Sequence, residues 1–228
     1  MMDLSKFYTS DLGKNVDFLY EQVVKHKNAT FVDLGVREGT SSQILLIDSE
    51  INKNEVYGVD VDFEFLNPIL HNHPNYYKIN GDSVTVGKNW DKKIKGLFID
   101  TFHIKEQVLC ELYYWYEYLE NGGFIAFHDT NWPESKNDIY DGKTWDRVEE
   151  AIKIFFDITD LNYEDDFLKI SHYPESWGMT IVEIKNKKPF PNKTIKWTEI
   201  FERRNYLISI FWNEDNVGNL KIDLKIDV

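Results

Sequence analysis

The chain has 228 residues, with 26 Lys and Arg against 39 Asp and Glu, a formal charge of −13. With 42% hydrophobic residues it can bury one sizeable core, and it is too short for two large domains. The charge argues against a general nucleic-acid or anionic-membrane binder, because both need clustered Lys and Arg.

Cys110 stands alone, so no intramolecular disulfide can form, and a reducing, cytoplasmic compartment fits best. The N-terminal MMDLSKFYTS lacks the apolar stretch of a signal peptide. No apolar run approaches the ~18 residues needed to cross a bilayer.

From Ser10 to Lys27, Leu12, Val16, Leu19, Tyr20 and Val23 fall on one face of a helix. An apolar run, Ala29 to Leu34, ends at Gly35; a helix over 40–47 and a strand over 55–60 follow. Phe63 to His71 reads as a short helix, Tyr76 to Ile79 as a third strand, and Gly96 to Asp100 as a fourth. Lys105 to Glu120 is the clearest helix, with Val108, Leu112, Trp115 and Leu119 on one face. Asn121-Gly122-Gly123 is expected to stop it, since Asn and Gly accept the left-handed cap conformation.

A fifth strand, 124–127, ends at His128-Asp129, and residues 130–143 read as a loop. Trp145 to Phe156 reads as a helix, and 167–173 and 179–184 as an antiparallel closing hairpin. Alternating strands and helices of this length predict an α/β fold: a doubly wound, mostly parallel, seven-stranded sheet covered on both faces. Residues 1–185 form the expected domain, with 1–28 as a helical cap. Residues 186–228 form a helical extension, in which Ile208, Ile210, Phe211 and Trp212 are a candidate homo-oligomer contact.

Ligands of open parallel sheets bind outside the carboxyl ends of the strands. Five strands end in, or close to, an acid: Asp33, Asp60, Asp82, Asp100 and Asp129. In Phe31-Val-Asp33-Leu-Gly35-Val-Arg-Glu-Gly39-Thr-Ser41, Gly35 and Gly39 let backbone approach a ligand where strand turns to helix. The helix N-terminus there suits a carboxylate or phosphate, and Ser41 adds a hydroxyl. Asp60, 25 residues after Gly35, is placed to accept ribose hydroxyls, with Asp62 as a neighbouring competitor. Asp82-Ser83 lies where an adenine would end. The three strand ends describe a pocket for an adenosine bearing a compact charged group.

The run FVDLGVREGTSS, then VYGVDVD, NGDS, LFIDTFH and GGFIAFHDT, resembles the class I S-adenosylmethionine-dependent methyltransferases, which share a Rossmann-like sheet. Within them it is similar to family 24-like small-molecule and sugar O-methyltransferases related to proteins once labelled cephalosporin hydroxylases. The resemblance spans roughly residues 28–184. It implies that Gly35, Gly39 and Ser41, at the end of the Asp33 strand, cradle the methionine moiety. It implies further that Asp60 holds the ribose, Asp82 and Ser83 border the adenine, and Asp100 lies near the methionine amine. It also implies His103 as general base, a task that an imidazole suits.

Asp100 and Asp129 end adjacent strands, and two neighbouring carboxylates invite a cation. A hard divalent ion such as Mg²⁺ takes carboxylate oxygens and can lower the pKa of a bound hydroxyl. The expected metal set is Asp100, His128 and Asp129, with Asn131 as a further oxygen donor; relatives often carry an acid at the position of His128. Trp132, Tyr140 and Trp145 are candidate walls of the acceptor pocket, and His172 could border it.

The expected function is methyl transfer to a hydroxyl of a small molecule, such as a sugar, with neither nucleic acid nor membrane as partner. An NAD(P)-dependent oxidoreductase fits less well: G-x-G-x-x-G is missing and no Tyr is followed four residues later by Lys. An iron-dependent hydroxylase wants His-x-Asp or His-x-Glu, and none of the six histidines has an acid two positions later. A non-catalytic binding module with the same fold is the remaining alternative.

Overall fold

The computed structural model describes residues 3–131, 139–140, 143–144, 148–188, 192 and 194–214; side chains are described except at 139–147 and 210–214. After a turn of 3-10 helix, Ser5–Phe7, comes α1 (Asn15–Val23), shorter at both ends than its apolar pattern suggests. Five strands then alternate with helices: β1 (Thr30–Leu34), β2 (Glu55–Asp60), β3 (Tyr76–Asn80), β4 (Ile94–Ile99) and β5 (Leu119–His128). Helices α2 (Thr40–Leu45) and α3 (Ser49–Asn52) follow β1, α4 (Pro68–His71) follows β2, α5 (Ser83–Lys88) follows β3, and α6 (Lys105–Trp115) follows β4. Beyond β5 lie a two-residue ladder, β6 (Ile139–Tyr140) and β7 (Lys143–Thr144), then α7 (Val148–Phe156). The chain continues through β8 (Tyr163–Glu164), β9 (Leu168–Tyr173), β10 (Met179–Ile184) and α8 (Trp197–Glu214).

The main sheet has eight strands in the order β3-β2-β1-β4-β5-β10-β9-β8. The extra strand relative to the expected seven is β8, two residues paired to the outer edge of β9. β1 to β5 are mutually parallel, whereas β10 runs antiparallel to both β5 and β9. Alternate residues of each central strand enter opposite cores. Val32, Leu97 and Ile125 pack toward α6 and α7, while Phe31, Phe98 and Phe124 pack toward α1 and α2. Burial on both faces is why these strands read as continuous apolar runs. Among the described residues, no helix is long and apolar enough to cross a membrane.

Two boundaries differ from the sequence pattern. α6 stops at Trp115, a 3-10 turn covers Tyr116–Tyr118, and Leu119 already pairs with Ile94 at the start of β5. The glycines expected to end the helix lie inside the strand, where the register slips between Ile94 and Gly96. A Cβ at Gly123 would stand 2.7 Å from the Lys95 carbonyl oxygen, so close backbone approach requires glycine there. Similarly, α4 keeps only the last turn of the stretch from Phe63. It starts at Pro68, with the Asn67 side chain accepting a hydrogen bond from Ile69 N at 3.0 Å.

Candidate functional site

Strand order reverses at β1 and β4, so the connections after them leave in opposite directions and open a crevice at their carboxyl ends. A cavity of about 720 Å³ occupies it. Gly35, Gly39, Ser41, Asp60, Asp82, Ser83, Asp100, His103, His128 and Asp129 all line that cavity, although they come from five different strand ends.

The first wall is the turn between β1 and α2. Gly35 adopts φ +86°, and a Cβ there would lie 2.1 Å from the Asp100 carbonyl oxygen. The β1 and β4 turns therefore touch through backbone. Gly35→Ala is expected to cost about 2–4 kcal/mol of stability, from strain plus overpacking, seen as a lower melting temperature. An unchanged melting point would show that the two turns can separate freely. Gly39, φ +81°, is the residue before α2. Arg37 N donates to Asp60 Oδ2 at 2.9 Å and Asp62 N to Asp60 Oδ1 at 3.1 Å, so Asp60 ties the ends of β1 and β2 together.

Asp33 does not line the cavity, which corrects its assignment as a ligand contact. It is fully buried beneath α2, where Ser41 Oγ and Ser42 Oγ donate to its Oδ2 at 2.8 and 2.5 Å. Burial pushes its carboxyl up to about 7 against the pull of the two serine hydrogen bonds. Ser41 reaches the cavity wall, but its hydroxyl proton is committed to Asp33.

At the β3 end, Asp82 caps α5: its Oδ2 accepts from Thr85 N at 3.0 Å and Thr85 Oγ1 at 2.8 Å. Behind it lies a buried polar network. Ser83 Oγ donates to Glu111 Oε1 at 2.5 Å, Thr101 Oγ1 to the same oxygen at 2.7 Å, and Gln107 Nε2 to it at 2.8 Å. Gln107 Nε2 also reaches Ser83 Oγ, while Arg204 donates to Gln107 Oε1 and to Asp82 Oδ1. Burial pushes the Glu111 carboxyl up to about 7, although these hydrogen bonds and the Arg204 charge oppose it. None of Thr101, Gln107, Glu111 or Arg204 stands out in the sequence. The one available signal was Glu111 on the same helical face as Val108, Leu112 and Trp115, where a carboxylate needs partners.

The β4 and β5 ends bring two acids and two imidazoles together. His103 Nε2 lies 2.8 Å from Asp129 Oδ2 and 3.4 Å from Asp100 Oδ1. His128 Nδ1 lies 3.3 Å from Asp129 Oδ1 and 3.5 Å from Asp100 Oδ1. Asp129 takes φ +56°, which turns its carboxylate back over the sheet end. Burial alone would lower both imidazoles, but the two carboxylates beside them outweigh it, raising His103 to about 9 and His128 to about 10. The same pairing holds Asp100 and Asp129 below the usual carboxylate range, against burial.

One ligand atom each from Asp100, His103 and Asp129 can be chosen within 4.8 Å of one another, close enough to share a cation. His128 Nε2 donates to the Ser176 carbonyl at 3.2 Å, so its Nδ1 is the atom aimed at the carboxylates. Buried His128 Nδ1 and Asp129 Oδ1 have no hydrogen bond. Such orphaned atoms, pointing at one space beside Asp100, fit a cation held by the expected set of Asp100, His128 and Asp129.

Asn131 does not join this set. Its Nδ2 donates to the Pro174 carbonyl at 3.0 Å, and it does not line the cavity. His172 bonds Thr180 Oγ1 at 3.0 Å, also away from the cavity lining. The side chains of Trp132, Tyr140 and Trp145, proposed as acceptor walls, lie outside the described residues. Trp177, in the turn before β10, lines the cavity instead. Ile208 is buried against the cavity, not presented as an oligomer contact, and the side chains of Ile210, Phe211 and Trp212 lie outside the described residues.

The sequence profile of a methyltransferase domain family matches residues 32–130, the stretch holding the strand ends β1 to β5. No curated protein sequence matches the chain. Among solved structures, a candidate caffeoyl-CoA O-methyltransferase from Staphylococcus aureus superposes with a TM-score of 0.56 at 15% identity, over 75% of this chain and 83% of that one. An O-methyltransferase from Bacillus cereus, solved with S-adenosylhomocysteine, gives 0.53 at 14% identity, over 75% and 81%. MycE of the mycinamycin biosynthetic pathway, solved with Mg and S-adenosylhomocysteine, also gives 0.53 at 14% identity, covering 88% of this chain and 58% of its own. At these identities the superpositions establish the fold. Residues 32–130 therefore match a methyltransferase-domain profile, within a chain that has the fold of these O-methyltransferases.

Proposed function

We propose that the protein transfers the methyl group of S-adenosylmethionine to a hydroxyl oxygen of a small molecule, such as a sugar or another metabolite. The observation that carries this reading is the cluster of Asp100, His103, His128 and Asp129 at one end of the cavity, beside the glycine turn. Gly35 and Gly39 let the β1 turn lie against the donor, Asp60 accepts from its ribose, and Asp82 and Ser83 border its adenine. Ser41 and Asp33 hold α2 in place behind that turn.

At the cluster, Asp100, Asp129 and His128 would hold a divalent cation, Mg²⁺ first because carboxylate oxygens are hard ligands. When bound, such an ion polarises an acceptor hydroxyl and lowers its pKa. His103 Nε2 is the proton acceptor, being the more exposed imidazole and on the cavity wall. Paired with two carboxylates alone, His103 is an imidazolium at neutral pH. With the carboxylate charge of Asp100 and Asp129 taken up by such an ion, His103 would be neutral and its Nε2 able to accept the hydroxyl proton. In-line displacement at the sulfonium methyl needs little beyond this positioning and deprotonation. The acidic chain favours a neutral or cationic acceptor over a polyanion.

Titration calorimetry with S-adenosylhomocysteine tests the donor site. Binding is expected, and Asp60→Ala should weaken it by about 10- to 100-fold, the worth of hydrogen bonds to a charged group. Silence of the wild type toward both donor and product would reject the reading. Turnover on a panel of hydroxyl acceptors with and without Mg²⁺ tests the rest.

A further inference from the structure

Arg204 comes from the C-terminal helix, 122 residues from Asp82 and beyond the stretch matched by the family profile. Its residue is 2% exposed, and burying a guanidinium is costly unless its donors are placed. Nε donates to Gln107 Oε1 at 2.7 Å, Nη1 to Asn205 Oδ1 at 3.3 Å, and Nη2 to Asp82 Oδ1. Since Thr85 occupies Asp82 Oδ2, Arg204 completes the fixing of that carboxylate and balances its charge at the cavity wall. Gln107 passes the contact on to Ser83 and Glu111. One helical turn after Arg204, Ile208 lines the same cavity as Asp82, Ser83 and Gln107. One turn before it, Phe201 packs on Cys110 and Val84, so a single face of α8 seals this end of the pocket.

We infer that Arg204 is a positioning residue for the methyl donor and that α8 is a wall of the donor pocket, so that helix docking and donor occupancy reinforce each other. The inference rests on the donor occupying this cavity. Ligand and helix bind the same polar network from opposite sides, and by linkage each must strengthen the other by the same factor. The guanidinium also supplies specificity of a kind that Lys cannot reproduce, because one fork reaches both Asp82 and Gln107.

The test uses the full chain with S-adenosylhomocysteine as probe. Hydrogen exchange by mass spectrometry should slow across residues 198–209 when the probe binds. Arg204→Met should weaken probe binding by about tenfold or more, the loss of a charge-assisted contact, with Arg204→Lys recovering only part. Ile208→Ala, which leaves the charges in place, should weaken it by about fivefold. It also keeps the proposal testable if Arg204→Met does not fold. If the wild type binds the probe, yet exchange across α8 is unchanged and Ile208→Ala and Arg204→Lys bind as tightly as the wild type, the inference is wrong and the donor reading survives. If the wild type does not bind the probe, both fall.

Discussion

Asp129→Asn is expected to abolish stabilisation of the protein by Mg²⁺ and to lower methyl transfer by about 10²–10⁴-fold, while S-adenosylhomocysteine binding stays close to wild type. The variant is well suited to the question. Asp129 sits at φ +56°, a region that Asn tolerates as readily as Asp, so the backbone turn survives. Only the charge changes, and with it the contact at 2.8 Å to His103 Nε2 and the carboxylate facing His128 Nδ1. His103→Asn separates the two roles. It should keep Mg²⁺ stabilisation if His128 and the carboxylates suffice to hold the ion, and still lose activity on the same scale for want of a proton acceptor. Thermal shift with and without Mg²⁺ gives the first readout and turnover the second. Asp129→Asn turning over at the wild-type rate would remove the cluster from the reaction.

The second large effect concerns stability against pH, measured with chelator so that no cation holds the cluster. Glu111 and Asp33 titrate near 7 in the fold, against ordinary values of 4.5 and 3.8. Their folded forms keep a proton that the unfolded chain has released, so each lowers stability as pH rises from its ordinary value to about 7, and no further above it. For Glu111 the shift corresponds to on the order of 3 kcal/mol. The cluster acts at other edges. Asp100 and Asp129, held low, contribute stability above about pH 4 that is lost as pH falls through their folded values. His103 and His128, raised to about 9 and 10, contribute stability that is complete below 6.5 and lost as pH rises through those values. Above about pH 4 the Asp100 and Asp129 contribution is constant, Asp33 and Glu111 lower stability until about 7, and the two imidazoles lose theirs from 6.5 upward. The chelated protein should therefore be most stable near pH 4, losing stability first through Asp33 and Glu111 up to about pH 7 and then through the imidazoles toward pH 10. Glu111→Gln should flatten the part of the decline between 4.5 and 7. Melting curves for variant and wild type that stay parallel across that interval would show Glu111 to be ionised in the fold throughout.

Much of the fold was legible because its signals are local. The double burial of β1, β2, β4 and β5 writes itself as uninterrupted apolar runs, and the hairpin β9–β10 shows its short polar turn. The acids at the strand ends were legible for the same reason, since position along a parallel strand is also position relative to the ligand crevice. α5 was not, because six residues, three of them β-branched, carry too little periodicity to register; the Asp82 cap that starts it shows only in the fold. Gly123 reads as part of a helix stop because its requirement is tertiary, close approach to the Lys95 backbone across a strand pair, whereas its neighbour Gly122 only takes a positive φ.

The sequence by itself determined the order of the main strands, the family resemblance and the set of acids able to meet a ligand. These depend on residue type and spacing along one dimension. Only the tertiary structure decided which of those acids face the cavity. It turned Asp33 inward onto Ser41 and Ser42, because the side chain alternates to the buried face one position before the strand end. It set His103 between Asp100 and Asp129, and it brought Arg204 across 122 residues onto Asp82. Contacts of that range are fixed by how layers pack, and no local pattern records them.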